Sequence, residues 1–173
     1  MGREVRRVPA NWQHPKNGLG RFVPLLLGPF EDRLREWLAG EEKWNAGLRE
    51  DYKGGWKPLE GKELSMSYME WTGRKPVSGE YMPSWPSEKK THLMMYETCT
   101  EGTPISPAFA TPEELARWLT DNEASAFGGQ TATYEQWLSA CKQGWAPTAV
   151  LGPNGLESGI AASARINGQG GKP

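Results

Sequence analysis

Thr111-Pro112-Glu113-Glu114-Leu115-Ala116-Arg117-Trp118-Leu119 is the stretch on which the reading of this fold turns. Thr111 is a good N-cap, because its hydroxyl can accept a hydrogen bond from one of the free amides that open a helix. Pro112 falls at the first helical position, where its missing N–H removes nothing. Glu113 and Glu114 then sit in the positive first turn, and Leu115, Trp118 and Leu119 form one apolar stripe. The stretch predicts an amphipathic helix with Trp118 on its buried face.

The same grammar repeats downstream. Thr133 opens a second helix with Tyr134, Trp137, Leu138 and Cys141 on one face and Gly144 as its stop. Upstream, Leu34, Trp37, Leu38, Trp44 and Leu48 keep a helical spacing from Glu31 onward, with a weak point at Gly40. Short strands are expected near residues 5, 22, 93 and 148, the second demoted to a sheet edge by Pro24. Pro153-Asn154-Gly155 predicts a turn that completes a terminal hairpin. Between residues 52 and 91, Gly and Pro recur every few positions, so an irregular insertion is expected there, with Tyr68, Trp71, Tyr81 and Trp85 folded down on the body. The fold class that follows is α+β: a small, mostly antiparallel sheet packed by about three Trp-bearing helices, with long Gly/Pro-rich loops. One globular domain is expected over residues 1–162, followed by a flexible Gly-rich tail at 163–173.

The chain has 173 residues with nine tryptophans, and its 20 basic and 21 acidic side chains nearly cancel. That balance argues against non-specific attraction to nucleic acid, which needs an excess of cations. The charge is nevertheless uneven. Residues 1–24 carry Arg3, Arg6, Arg7, Lys16 and Arg21 against Glu4 alone, whereas residues 97–143 are mostly acidic. The longest apolar run, at 22–27, is broken by Pro24 and is far too short to span a bilayer, so no membrane contact is expected. With only two cysteines and no secretory leader at the start, the expected location is the cytoplasm of a host cell.

Few residues invite chemistry. His14, His92, Cys99 and Cys141 lack any paired zinc spacing, and neither a metal nor a cofactor is expected. Cys99 with His92 and Glu97 is a nominal catalytic set with no oxyanion hole marked beside it. Two other stretches stand out because no helix stripe or strand alternation explains them. Trp12-Gln13-His14-Pro15 joins an aromatic ring, an amide and an imidazole in the basic segment, and Glu101-Gly102-Thr103-Pro104-Ile105-Ser106-Pro107 is a proline-stiffened loop. The Thr103 and Ser106 hydroxyls of that loop are expected to face outward, either as a binding edge or on a stiff connector into the next helix. The expected binding residues are therefore Trp12, Gln13, His14, Thr103, Pro104 and Ser106.

Arg6-Arg7-Val8-Pro9, Trp12-Gln13-His14-Pro15, the 101–107 loop and the 111–119 helix together resemble a family of small proteins encoded by tailed bacteriophages and prophages, over the first 15 residues and about 97–160. That resemblance carries no catalytic residue. It implies a non-enzymatic accessory protein that binds and modulates or inhibits a bacterial host protein, with host defence systems among the targets. The alternatives are a minor virion or assembly component and an enzyme acting on nucleotides or nucleic acid.

Overall fold

The computed structural model describes residues 2–51, 53–98, 102–152 and 155–169. The chain is mixed helix and strand. In order it runs β1 (Gly2–Val8), α1 (Phe30–Asn45), β2 (Leu48–Glu50), β3 (Trp56–Pro58), α2 (Tyr68–Thr72), β4 (His92–Glu97), β5 (Thr103–Pro104), α3 (Pro112–Asp121), α4 (Tyr134–Gln143), β6 (Trp145–Pro147), β7 (Ala149–Gly152), β8 (Gly155–Ser158) and α5 (Gly159–Gln169). The chain divides into two compact units: Met1–Leu25 with Ser84–Pro173, and Leu26–Pro83.

In the first unit an antiparallel sheet has the order β5-β4-β1-β6. Successive side chains of a strand alternate between faces. Leu93 and Met95 of β4 therefore join Leu115 and Leu119 of α3, Trp137 and Cys141 of α4, and Ile160 of α5 in one apolar core. Met94 and Tyr96 point to the opposite face, where they too are buried. The helix ends follow the capping rules. Thr111 Oγ1 accepts from the Glu114 amide at 3.1 Å while the Glu114 carboxylate accepts from the Thr111 amide at 3.2 Å. Thr133 and Gln136 repeat the reciprocal arrangement at α4, which Gly144 ends in the left-handed conformation.

Several expectations are corrected. The segment near residue 22 is not a sheet strand: it makes a single bridge, Lys16 to Phe22, and the Val23 and Leu25 amides bond to the Pro15 and Gly102 carbonyls instead. Trp118 is only half-buried; Leu115 and Leu119 fill the core of α3. The 163–169 part of the expected tail continues α5, whose first turn is held by Ser158 Oγ accepting from the Ala161 amide at 3.2 Å. Residues 170–173 of that tail lie outside the described residues.

The second unit covers much of the stretch read as irregular. Its ends are held side by side, because the Leu26 amide bonds to the Glu80 carbonyl and the Met82 amide to the Leu26 carbonyl. α1 runs unbroken through Gly40, where a Cβ would overlap the Tyr68 hydroxyl of α2, so glycine is required by close approach and not as a stop. β2 and β3 form a hairpin. Among the described residues no helix is long and apolar enough to cross a membrane.

Two predictions follow from this packing. Thr111→Ala should lose about 1 kcal/mol and Trp137→Ala about 3–5 kcal/mol, while half-buried Trp118 should lose clearly less than Trp137, all read from denaturant midpoints. Alanine at an exposed interior helix glycine normally stabilises by up to about 1 kcal/mol, but Gly40→Ala should destabilise because the Tyr68 ring must be displaced. A Gly40→Ala chain that melts above the parent contradicts the contact.

Candidate functional site

The arm between β1 and the second unit folds back on the Met94/Tyr96 face of the sheet. His14 is 6% exposed and bonded at both nitrogens: Nε2 lies 2.6 Å from the Val23 carbonyl oxygen and Nδ1 3.1 Å from Tyr96 Oη. A carbonyl only accepts, so Nε2 carries the proton, and in the neutral ring Nδ1 accepts from the Tyr96 hydroxyl. Trp12 Nε1 donates to the same hydroxyl at 3.2 Å, and the Trp12 ring meets Trp85 edge-on with centroids 4.8 Å apart. Burial depresses the His14 pKa, aided by the nearby Arg6 charge and opposed by the Val23 bond. Burial raises that of Tyr96, against the pull of the Trp12 bond and Arg6.

Below the arm, Arg6 is 5% exposed, with its guanidinium 4.4 Å above the Tyr96 ring. It donates to the Leu25 carbonyl at 2.7 Å and to Glu4 at 3.2 Å. Gly102 lies against the same guanidinium with φ +99°, and a Cβ there would overlap both Arg6 and the Leu25 carbonyl. Arg3, 4% exposed, donates to Glu97 at 2.9 Å and to the Ser125 carbonyl. Two cations of the basic segment are therefore structural and closed to phosphate.

The 103–109 loop meets the arm at the sheet edge. β5 contributes Thr103 and Pro104, opposite Glu97 and Tyr96. The ladder then continues irregularly: the Ile105 amide donates to Met95 O, and Leu93 and Phe109 exchange two backbone bonds. Between them Ser106 Oγ accepts from the Met95 amide at 2.9 Å and donates to Pro107 O at 2.8 Å. The expected outward-facing Ser106 hydroxyl is thus corrected. It is buried at 6% and stands in for a carbonyl that the strand would otherwise have supplied.

The two stretches singled out in the sequence line one groove of about 400 Å³. Trp12, Gln13, His14, Pro104 and Ser106 all border it; Thr103 pairs in β5 and does not. Sequence reasoning missed Phe22, Met94 and Trp118, which also line it. Phe22 is 40% exposed with its ring against His14. Trp118 falls on a helix stripe, which predicts a core position, and the half-burial that brings it to the groove is set by tertiary packing alone.

The two described members of the nominal catalytic set, His92 and Glu97, are not brought together. His92 and Glu97 sit at opposite ends of β4, about 16 Å apart at 3.3 Å per residue, and an odd separation puts them on opposite faces. Glu97 is bonded to Arg3, and Cys99 lies outside the described residues. Cys141 is buried in the core, which pushes its thiol up to about 12, with Glu113 adding to the shift. Among the described residues no group of three His, Cys, Asp or Glu could hold a metal ion. No protein-family model, curated protein or solved structure matches this chain.

Ser106→Ala should cost about 1–3 kcal/mol, since it leaves the buried Met95 amide without its acceptor. His14 sets a pH dependence. Its folded pKa is depressed, so the unfolded chain binds its proton first as the pH falls. The neutral ring's contribution to stability is complete above the ordinary value of about 6.5 and is lost below it, down to the folded pKa. Melting temperatures across about pH 8 to 5 should fall below that value in the parent and less steeply in His14→Gln; equal slopes refute the assignment.

Proposed function

We propose that this chain is a non-enzymatic accessory protein of a bacteriophage or prophage that acts by binding a bacterial host protein through the groove of the first unit. The observation that carries the reading is how the groove spends its polar atoms. The His14 nitrogens, the Tyr96 and Ser106 hydroxyls and the Trp12 N–H are all used in holding its walls together. What remains open to a ligand is ring surface and short apolar side chains, with Gln13 and the Lys16 ammonium, 4.8 Å from the Phe22 ring centroid, exposed at the rim. Such a surface suits an anchoring side chain or peptide segment, where Trp rings carry a large share of binding energy. A buried neutral imidazole bonded on both sides is a poor general base. The resemblance of the arm and of the 111–119 helix to phage proteins supplies the host as the source of the partner.

The partner is found by capture on the immobilised chain from host lysate and then titrated as a purified protein. Trp12→Ala should weaken binding by about 2 kcal/mol, and Gln13→Arg should weaken it with the melting temperature unchanged. A captured protein that binds both variants as tightly as the parent sinks the groove as its site. Size-exclusion chromatography separates the virion-component reading, which requires stable self-association. Loss of function confined to His92→Ala or Cys99→Ser would favour the enzyme reading.

A further inference from the structure

The second unit holds a cleft of about 810 Å³ that the groove reading does not use. Trp37, Gly40 and Trp44 project from one face of α1 toward Tyr68 and Trp71 of α2. The ring centroids are 5.3 Å apart for Trp37 and Tyr68 and 5.5 Å for Trp44 and Trp71. Two of the indoles are fixed by their N–H groups: Trp37 Nε1 donates to Gly73 O at 3.2 Å and Trp44 Nε1 to Met66 O at 2.9 Å. Trp71, packed on Trp44, remains 41% exposed, and Trp56 on the cleft wall 46%. Trp37 and Trp44 are thus held in place, while Trp71 and Trp56, with the Arg49 guanidinium 5.5 Å from the Trp71 centroid and Lys43 Nζ 5.9 Å from that of Trp56, keep part of their surface open.

The charged lining consists of Arg33, Arg49, Arg74 and Lys75 with Glu36, Glu50 and Glu80, and each of the arginines holds a carboxylate, that of Glu63 in the case of Arg49. Arg33 bonds Glu36 at 2.8 Å and Arg74 bonds Glu80, while Lys75 lies 5.8 Å from the Trp37 ring. This pattern selects among ligand classes. A phosphate-bearing ligand needs surplus cations, but all three arginines hold a carboxylate, Glu50 on the lining offsets Lys75, and residues 26–83 carry eleven acidic against nine basic side chains. A wholly apolar ligand would strip water from the two ion pairs and return nothing. A sugar ring fits both features. Its C–H face can lie on an indole, and its adjacent hydroxyls can each donate to a carboxylate and accept from a guanidinium.

We propose that the cleft between α1 and α2 binds a saccharide, with Trp71 and Trp56 as stacking surfaces and the Arg33–Glu36 and Arg74–Glu80 pairs as partners for neighbouring hydroxyls. The full chain is titrated calorimetrically with cellohexaose, chitohexaose, maltohexaose and laminarihexaose, and with a dT oligonucleotide. At least one saccharide should saturate with a Kd of about a millimolar or tighter. Trp71→Ala and the rim variant Trp56→Ala should each weaken it about tenfold, with the Trp56→Ala melt unchanged, and Trp12→Ala in the other unit should have no effect. Absence of binding by all four sugars, binding of the oligonucleotide alone, or saccharide binding indifferent to both cleft variants overturns the proposal. None of these outcomes bears on the groove, whose test reads a different partner.

Discussion

The buried guanidinium of Arg6 is the constraint on which the first unit depends. A charge taken out of water costs several kcal/mol unless its donors are met, and β1 alone cannot meet them. Glu4 accepts one bond from the same strand, and the Tyr96 ring lies beneath the cation. A further donor is met only if the chain turns back to bring the Leu25 carbonyl to Arg6. That return lays the arm across the sheet, sets Val23 against His14, and requires glycine at 102. Floor and wall of the groove are therefore consequences of satisfying one buried cation.

The same economy of polar groups explains why the two sheet faces differ. On the helical face the core is apolar, and the Trp137 N–H is its one buried side-chain donor without a partner among the described residues. On the arm face the buried atoms form a chain of hydrogen bonds from Trp12 through Tyr96 to His14 and Val23. Such a network orders the segment when complete and is costly when broken. The groove therefore has a hydrogen-bonded base, with aromatic rings, Gln13 and Lys16 along its walls.

Tryptophan serves three purposes in this molecule. Trp137 fills volume in the core. Trp12 and Trp118 each bury part of a ring and show the remainder in the groove. Trp37, Trp44, Trp56 and Trp71 line the cleft of the second unit, where two indole N–H groups tie the rings to backbone carbonyls. An amphipathic ring with a single donor suits all three, because one hydrogen bond orients it while leaving a large apolar face.

What the sequence by itself determined is local. Thr111 and Thr133 at helix starts, Gly144 at a helix end and a terminal hairpin, seen as the pairing of β7 with β8, are read correctly because capping and hairpin chemistry act within a few residues, while Pro153 and Asn154 of the expected turn lie outside the described residues. Hydrophobic spacing likewise places α1, α3 and α4, and with them the α+β class. The unusual composition of 12–14 and 104–106 also marked the residues that line the groove, because they fitted no local pattern. Tertiary structure decided the rest. Whether Arg6 lies on a surface or under an arm, whether Ser106 faces water or a β4 amide, and whether Gly40 breaks α1 or makes room for Tyr68 all depend on residues distant in the chain. The closing of the second unit's ends has the same origin, since backbone bonds join Leu26 to Glu80 and Met82, contacts that no periodicity records.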